Sequence, residues 1–297
     1  MADSIVKTSL PEYVNQNNNE LLIKAMTGAK TLRYIEQMLG VKGKTTLNIL
    51  NSTVVFADGS ECGFNAEGAD TLSQRVLEPV VIKINKEWCD RTLIDTFANH
   101  ELRLVAGGET MPFEEKFADS NVAVIAKELD KLIWQGNDTL GAKGFIDLAS
   151  ELDSGVVTAE GATISATVDA VYSKIPTEAL DRGAVIFMSE TNYRAYVSSL
   201  NASCCGNIPV IDARAGEMPY VGDSRVTIVG VGGLEGTNYV VGSAKDNLVY
   251  GTDIRDAHAE YKLWYSDDAD LFRFKVLFNA GVQYKFPSEF VFGAVSA

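Results

Sequence analysis

A glycine-rich run between Gly136 and Gly144, GNDTLGAKG, has the look of a phosphate-binding loop. A P-loop follows the pattern GxxxxGK[ST], in which the lysine directly follows the second glycine and the hydroxyl holds magnesium. Here Ala142 separates Gly141 from Lys143, and Gly144 stands where Ser or Thr is required. A helical pattern also precedes the run, whereas a P-loop follows a strand. We therefore predict a structural turn that ends a helix, with Gly136, Gly141 and Gly144 supplying backbone freedom.

Two further motifs fail as catalytic signatures. The segment GVGGLEG (230–236) lacks the third glycine of a dinucleotide fingerprint, because Glu235 stands there, and no helical pattern follows. A hairpin turn is the better interpretation. The block GDS (222–224) would need an aspartate three residues before a late histidine in a hydrolase, but Arg255 holds that position relative to His258.

Metal and disulfide chemistry is equally weakly supported. The only histidines are His100 and His258, and paired carboxylates such as Asp267 and Asp268 have the polarity of solvated turns. Four cysteines are too few and too irregularly spaced for a disulfide framework or a zinc site. They are Cys62, Cys89, Cys204 and Cys205. We predict no catalytic residue, no cofactor and no metal, and hence no enzyme.

The charge balance excludes a general nucleic-acid binder. With 26 basic and 40 acidic residues the net charge is −14, and it is spread along all 297 residues. A protein that neutralises phosphates shows a basic face instead. The first 44 residues are slightly basic, which would suit contact with an acidic neighbouring subunit or reflect ordinary fluctuation. Neither a signal peptide nor an apolar run long enough to cross a membrane is present.

The elements that must position any site begin with a polar segment. Residues 1–20 have little to bury and predict an extended arm, followed over 21–39 by short helical pieces. From Lys44 to Ile84, alternating apolar residues predict a long two-stranded hairpin. Its predicted tip, residues 57–70, carries four acidic side chains, Asp58, Glu61, Glu67 and Asp70. Because an isolated hairpin is marginal in water, we expect it to lie against another surface.

A long amphipathic helix is predicted from Pro112 to Gln135, roughly 35 Å in length. Beyond it, helices begun near Thr167 and capped by Ser189 alternate with strands. The strand patterns are AVIFM (184–188), which predicts a buried strand, NIPVID (207–212), RVTIVGV (225–231) and NYVVGSA (238–244), and two long strands close the chain. The last of these is predicted to have two faces, with Phe272, Phe274, Val276 and Phe278 on one of them. The predicted fold class is α+β.

Several of these segments resemble one family in their order along the chain. Residues 71–97 resemble a descending hairpin strand and the entry to a following domain, and 117–147 resemble a spine helix that ends in a glycine turn. This turn departs from the family by having Ala142-Lys143 where proline is common. Residues 183–200 resemble a strand and helix, and 271–293 a closing strand. The family is that of the HK97-like major capsid proteins of tailed bacteriophages.

The resemblance implies an HK97-like capsid fold with an N-terminal arm, an E-loop hairpin, a P-domain with its spine helix, and an α/β A-domain. The implied divisions are 1–42 for the arm and short helices, 43–87 for the E-loop, 88–150 for the P-domain, 151–257 for the A-domain, and 258–297 for returning strands.

The resemblance also implies a function and partners. Copies would form pentamers and hexamers of an icosahedral shell around double-stranded DNA, without sequence-specific binding and without a membrane. Assembly would take place in the host cytoplasm and the product would be the virion capsid, with scaffolding, portal and decoration proteins as further partners. The four acidic residues of the tip would contact another subunit. No segment typical of scaffolding precedes the arm, which favours a separate scaffold or a processed chain.

Two alternatives remain at this stage. An encapsulin-type nanocompartment would share the fold but enclose a protein cargo. A nucleotide-dependent enzyme would require the glycine run to bind phosphate after all.

Overall fold

A computed structural model describes residues 2–56, 68–105, 112–151, 155–203, 216–253 and 260–295. Its helices are α1 (Ala2–Gln16), α2 (Asn18–Thr27), α3 (Asp90–Val105), α4 (Phe113–Gln135), α5 (Phe145–Glu151), α6 (Ile164–Lys174), α7 (Thr177–Asp181) and α8 (Glu190–Ser203). Its strands are β1 (Glu36–Leu39), β2 (Thr45–Val54), β3 (Gly68–Leu77), β4 (Val80–Cys89), β5 (Val157–Gly161), β6 (Ala184–Ser189), β7 (Glu217–Tyr220), β8 (Asp223–Val231), β9 (Tyr239–Ala244), β10 (Leu248–Thr252), β11 (Glu260–Ser266), β12 (Leu271–Tyr284) and β13 (Val291–Val295). Short 3₁₀ turns span Lys30–Arg33, Asp138–Leu140, Gly232–Leu234 and Pro287–Glu289.

The N-terminal segment is not an extended arm. It forms α1 and α2, which pack on the body of the same chain, so that the prediction for residues 1–20 is wrong. Leu10 and Val14 are fully buried in the main core, and the Asn15 side chain donates to the Leu263 carbonyl in β11. Two apolar residues at i and i+4 are enough to dock one face of an otherwise polar helix.

The hairpin is shorter than the sequence pattern predicts. Strands β2 and β3 pair antiparallel from Thr45↔Leu77 to Val54↔Gly68. The alternation over Val80, Ile82 and Ile84 belongs to β4, which pairs with β12 in another sheet. The same alternation of apolar and polar residues continues from β3 into β4. The pattern therefore does not reveal where the chain leaves the hairpin.

The long helix agrees with its prediction. Helix α4 runs from Phe113 to Gln135, with Pro112 at its N-cap. The preceding helix α3 was not predicted, although Leu93, Phe97 and His100 follow a helical spacing along one face. Phe97 and His100 both contact the Phe113 ring at the start of α4, with centroid distances of 5.4 and 5.7 Å.

The first sheet is organised around β12. Neighbouring strands follow the order β1-β10-β12-β11. Strand β4 is the fifth strand of this sheet and also pairs with β12. Along β12, Phe272, Phe274, Val276 and Phe278 are buried while the alternate residues are half-exposed, as the sequence predicts. The buried rings face α4 and the N-terminal helices, which together form the main core.

The second sheet has the order β5-β13-β9-β6-β8-β7, with helices α6, α7 and α8 packed against it. Strand β6 is buried throughout, which confirms the buried strand predicted at 184–188. The Ser189 hydroxyl accepts a hydrogen bond from Asn192 N–H at 3.1 Å, which confirms the cap of α8. Helix α6 begins earlier than expected, because Thr163 caps it through Ala166 N–H. The predicted strand 207–212 lies outside the described residues. Both sheets and the helices together make an α+β fold, as predicted.

The glycine segment 230–236 is not a hairpin turn. Strands β8 and β9 lie on opposite sides of β6, and their connection therefore crosses the end of that strand. Within this crossover the Gly232–Leu234 turn packs against α4.

Candidate functional site

The hairpin has two chemically different faces. On the inner face, Leu47, Ile49 and Leu77 are buried, and Leu77 packs with Val41 and Val249 of the body. These residues alternate with outward-facing ones because successive strand side chains point to opposite faces. The sequence predicted that the hairpin would need a surface to lie against, and its base has one within the same chain.

The outer face is exposed. Leu50 pairs with Leu72 across the two strands, and their exposed fractions are 63 % and 66 %. Val76 on the same face is 41 % exposed, and Phe56 just beyond β2 is 96 % exposed. Clustered exposed apolar side chains of this kind mark interaction surfaces more often than isolated ones do.

The base of the hairpin is held firmly. Gln283 Nε2 donates to the Val76 carbonyl at 2.9 Å, and the Arg75 guanidinium lies 4.4 Å from the centroid of the Tyr284 ring. Gly281 in β12 passes so close to the β3–β4 link that an added Cβ would lie 2.8 Å from both the Glu78 carbonyl oxygen and Pro79 Cα. Close packing of the backbone at its root therefore fixes the direction in which the hairpin leaves the body.

Beside this root lies an apolar cavity of about 310 Å³. Its walls come from the hairpin base, the C-terminal turns of α4, the glycine run and β12. Leu129, Leu132 and Ile133 supply one side, and Lys44 and Lys143 belong to the lining as well. Sequence patterns carry no direct signal of this cavity, because its walls come from several separate segments, including Leu148 of α5 and Tyr250 of β10.

The predicted contact residues at the hairpin tip cannot be placed against this geometry. Asp58, Glu61 and Glu67 lie outside the described residues. Asp70 lies in β3 opposite Ser52, and its side chain is also outside the description. Their role in contacts between subunits stays a prediction.

The glycine run ends α4 and starts a compact turn. Gly136 has φ +67°, and its N–H donates to the Leu132 carbonyl at 3.0 Å. Gly141 also has φ +67°, a conformation that side-chain-bearing residues rarely adopt. Gly144 N–H donates to Asp147 Oδ2 at 3.0 Å, and a Cβ there would lie 2.3 Å from the Gly136 nitrogen. The amide groups of this run are thus used within the turn, in keeping with a structural role.

A buried carboxylate on α4 connects three parts of the chain. Asp130 is 4 % exposed and accepts from Thr31 N–H at 3.1 Å and from Gly233 N–H at 2.7 Å. One turn further, Trp134 Nε1 donates to Thr31 Oγ1 at 2.8 Å, and Gln135 Nε2 donates to the Gly233 carbonyl at 2.7 Å. Spine helix, N-terminal segment and second sheet are therefore fixed to one another at a single place, which we call the Asp130 clamp.

Sequence reasoning missed the Asp130 clamp. Gly233 leaves no room for a side chain, because a Cβ would lie 2.2 Å from the Asp130 carbonyl oxygen. The available signal was an aspartate on the apolar stripe of a helix, between Leu129 and Ile133. Such a residue is buried only when hydrogen bonds compensate its charge.

The GDS block contains a second polar cluster. Asp223 accepts from the Arg225 guanidinium at 2.7 Å and from the Tyr172 hydroxyl at 3.0 Å. The Arg225 contacts hold the pKa of the Asp223 carboxyl well below its usual range. Arg225 also pairs with Asp181 at 2.6 Å, and Tyr172 stacks on Tyr220. These groups satisfy one another, so the block serves as a structural network between α6, α7 and β8.

Other sequence candidates show no catalytic arrangement. His100 is buried against Phe113, His258 lies outside the described residues, and Cys89 is exposed and reduced. Across the described ranges no three His, Cys, Asp or Glu side chains are grouped as a metal site would need. No helix among them is long and apolar enough to span a membrane.

Comparison with solved structures identifies the fold. A chain of the satellite phage P4 procapsid, a structure that includes the size determination protein, superimposes with a TM-score of 0.64 and 11 % identity, covering 93 % of this chain and 89 % of that one. The capsid of a native GTA particle gives a TM-score of 0.60 at 9 % identity over 92 % and 91 %. The virus-like particle from Pyrococcus furiosus gives 0.53 at 12 % identity over 95 % and 99 %. No family model and no curated protein sequence matches the chain. The chain has the HK97-like capsid fold that the sequence resemblance implies.

Proposed function

We propose that the chain is a major capsid protein, whose copies assemble into the icosahedral shell of a tailed phage around double-stranded DNA. The observation that carries this proposal is the end-to-end match in fold to shell-forming chains, which covers 93 % of this chain in the P4 procapsid comparison. The match runs along most of both chains, since it also covers 89 % of the procapsid chain. The proposal assigns no enzymatic activity to the chain.

The proposed mechanism is geometric. The hairpin of β2 and β3 is the E-loop and reaches a neighbouring subunit with its exposed outer face. The sheet around β12 with α3 and α4 is the P-domain, and the second sheet with α6, α7 and α8 is the A-domain. Repeated contacts of one kind close into pentamers and hexamers, and many modest interfaces together give a stable shell. Helix α1 has no assigned role between subunits, since it packs on its own chain.

Partners and location follow from the same proposal. The shell forms in the host cytoplasm, becomes part of the virion, and engages portal, scaffolding and decoration proteins. DNA is enclosed without sequence-specific contacts, in keeping with the net charge of −14.

Electron microscopy of the expressed protein, alone and with added salt or scaffold, tests the proposal. We expect uniform shells, capsomers or tubes. A strict monomer under all of these conditions would contradict it.

A shell that encloses protein cargo is the second candidate. The match to the Pyrococcus furiosus virus-like particle covers 99 % of that chain, but its TM-score of 0.53 is below the 0.64 of the P4 procapsid chain. Purified particles from infected or producing cells separate the two candidates, because ultraviolet absorbance and mass spectrometry distinguish DNA from an enclosed enzyme.

The role of the acidic tip is tested by deletion. Removing residues 58–70 is expected to leave a folded subunit and to abolish shells. Since β3 starts at Gly68, the narrower deletion of 58–67 keeps the strand pairing and is the better variant. Normal shells from this variant, with an unchanged melting temperature, would exclude the tip from the contact.

A further inference from the structure

The cavity beside the hairpin root is large for an apolar space within one chain. Its volume is about 310 Å³, whereas an aliphatic cavity of about 150 Å³ already binds a benzene molecule. The space is therefore large enough for an apolar body of about two fused rings, or roughly ten carbon atoms. Pockets that bind small molecules span about 300–1,000 Å³, so this cavity lies at the small end of that range.

The side chains of the cavity wall are mainly apolar. The Gln283 amide in this wall is already engaged, since Nε2 donates to the Val76 carbonyl at 2.9 Å and Oε1 accepts from Tyr284 N–H at 3.1 Å. A buried water molecule needs two to four polar partners, and an apolar ligand gains affinity by displacing water that is poorly held. The apolar residues of the wall include Val76, Val80, Leu129, Leu132, Ile133 and Val282.

Two lysines mark the mouth of the cavity. Lys44 and Lys143 both belong to its lining and both are exposed, so the cavity reaches the protein surface beside them. Lys44 Nζ lies 2.7 Å from Glu78 Oε1, and this glutamate is the third charged member of the lining. The mouth therefore carries a net positive charge on a protein whose total charge is −14. A ligand with an acidic group at one end complements both the apolar wall and this mouth.

We propose that the cavity is a binding site for a small carboxylic acid with an apolar body of about ten carbon atoms. The body packs against Leu132 of α4 and Val282 of β12, and the carboxylate lies at the mouth beside Lys143. Because Val76 of the hairpin root belongs to the same wall, a bound ligand also links the root to the spine helix. The site is complete within one chain, so it goes beyond the proposed shell function and does not depend on it.

Isothermal titration of the purified full chain with two matched probes tests the site. The probes are naphthoate, which is charged at pH 7, and naphthamide, which has nearly the same shape and no charge. We expect both to bind the wild type, and the ratio of naphthoate affinity to naphthamide affinity to fall about two- to fivefold in K143Q, as the loss of an exposed ion pair implies. Absence of binding by either probe up to its solubility limit would overturn the site. An unchanged ratio in K143Q would overturn the place given to the carboxylate.

Two substitutions that fill the cavity locate the binding. Ala142 and Val282 line it from different segments, and both are buried. A142L and V282F should each weaken the binding of both probes by on the order of tenfold or more, because the added carbon atoms occupy the space of the ligand. A123L is the matched control for A142L, since Ala123 is exposed on α4 and does not line the cavity, and it should bind as the wild type does. Undiminished binding by A142L and V282F, with circular dichroism spectra like that of the wild type, would overturn the site.

A different occupant of the cavity would give a different pattern of results. If a side chain of a second copy fills it, A142L and V282F would raise the protein concentration needed for assembly, while naphthoate would fail to bind the wild type. That combination would overturn the ligand site and leave the shell function standing. Conversely, probe binding by a wild-type chain that never assembles would support the ligand site and exclude the shell function.

Discussion

Asp130 shows how a single residue sets the relation between separate parts of the chain. Its two carboxylate oxygens each accept one backbone N–H, from Thr31 and from Gly233, and both bonds are buried. A neutral side chain without acceptors would leave both donors unpaired in the interior. Buried donors without a partner are far more damaging than lost surface contacts.

We expect D130A to destabilise the unassembled subunit by about 2–6 kcal/mol, from two unpaired donors at about 1–3 kcal/mol each. Denaturant unfolding measures this loss. E128A is the control, because Glu128 is exposed on the same helix, and it should lie within about 0.5 kcal/mol of wild type. Equal stability of D130A and E128A would contradict the Asp130 clamp.

Asp223 carries a pH-dependent contribution to stability. The Arg225 guanidinium, together with Arg225 N–H and the Tyr172 hydroxyl, lowers its pKa in the folded state. A lowered folded pKa means that the carboxylate stabilises the fold fully above its unfolded pKa of about 3.9 and loses that effect as the pH falls further.

We therefore expect D223N to melt at a lower temperature than wild type at pH 7, with a difference that shrinks between pH 4 and about pH 2. Thermal melts across this range measure it, and D138N on an exposed turn serves as the control. A difference that stays constant down to the lowest pH would contradict the assignment.

At the scale of elements, the burial of helix α1 and of the hairpin is the reverse of what their compositions suggest. Helix α1 is polar in composition yet docks through Leu10 and Val14. The hairpin is rich in apolar residues yet leaves Leu50 and Leu72 exposed. Burial depends on which face meets the core, and two well-placed residues decide that for α1, whereas the outer strand face has no counterpart among the described residues.

Docking of α1 predicts that L10A destabilises the subunit by about 2–4 kcal/mol, since it leaves a cavity in the main core. An extended arm would predict no effect on the isolated subunit. Denaturant unfolding separates the two, with E12A as the control because Glu12 is exposed on the same helix. If the L10A subunit were as stable as E12A, the docking of α1 would be contradicted and the prediction of an extended arm would stand.

For the whole molecule, net charge sets the conditions of assembly. Each copy carries −14, and like-charged subunits repel until counterions screen them. The screening length falls from about 30 Å at 0.01 M salt to about 8 Å at 0.15 M.

We expect the yield of assembled particles to rise as sodium chloride increases from about 0.01 M to about 0.15 M. Light scattering at fixed protein concentration measures it, and an equal osmolarity of sucrose is the control for crowding. A yield that falls steadily with salt would show that attraction between charged surfaces dominates assembly.

Periodicity along the chain was enough to predict the long helix, the central strand β6, the cap at Ser189 and the two-faced strand β12. Each of these depends on contacts within one segment, or on burial that alternates with a fixed period. The glycine run was likewise separated from a P-loop by residue spacing alone, because Ala142 and Gly144 occupy positions that phosphate chemistry does not tolerate.

Tertiary structure decided what depends on distant segments. The docking of α1, the transfer of β4 from the hairpin to the β12 sheet, the crossover at Gly232 and the Asp130 clamp all join residues about a hundred or more positions apart, or strands whose pattern is the same in either pairing. The cavity beside the hairpin root is of the same kind, since several separate segments enclose it. The sequence by itself determined the local elements and their order, whereas only the folded chain determined which apolar faces are buried and which remain for a partner. The physical reason is that local propensity acts over a few residues, while burial is shared by surfaces that meet only in three dimensions.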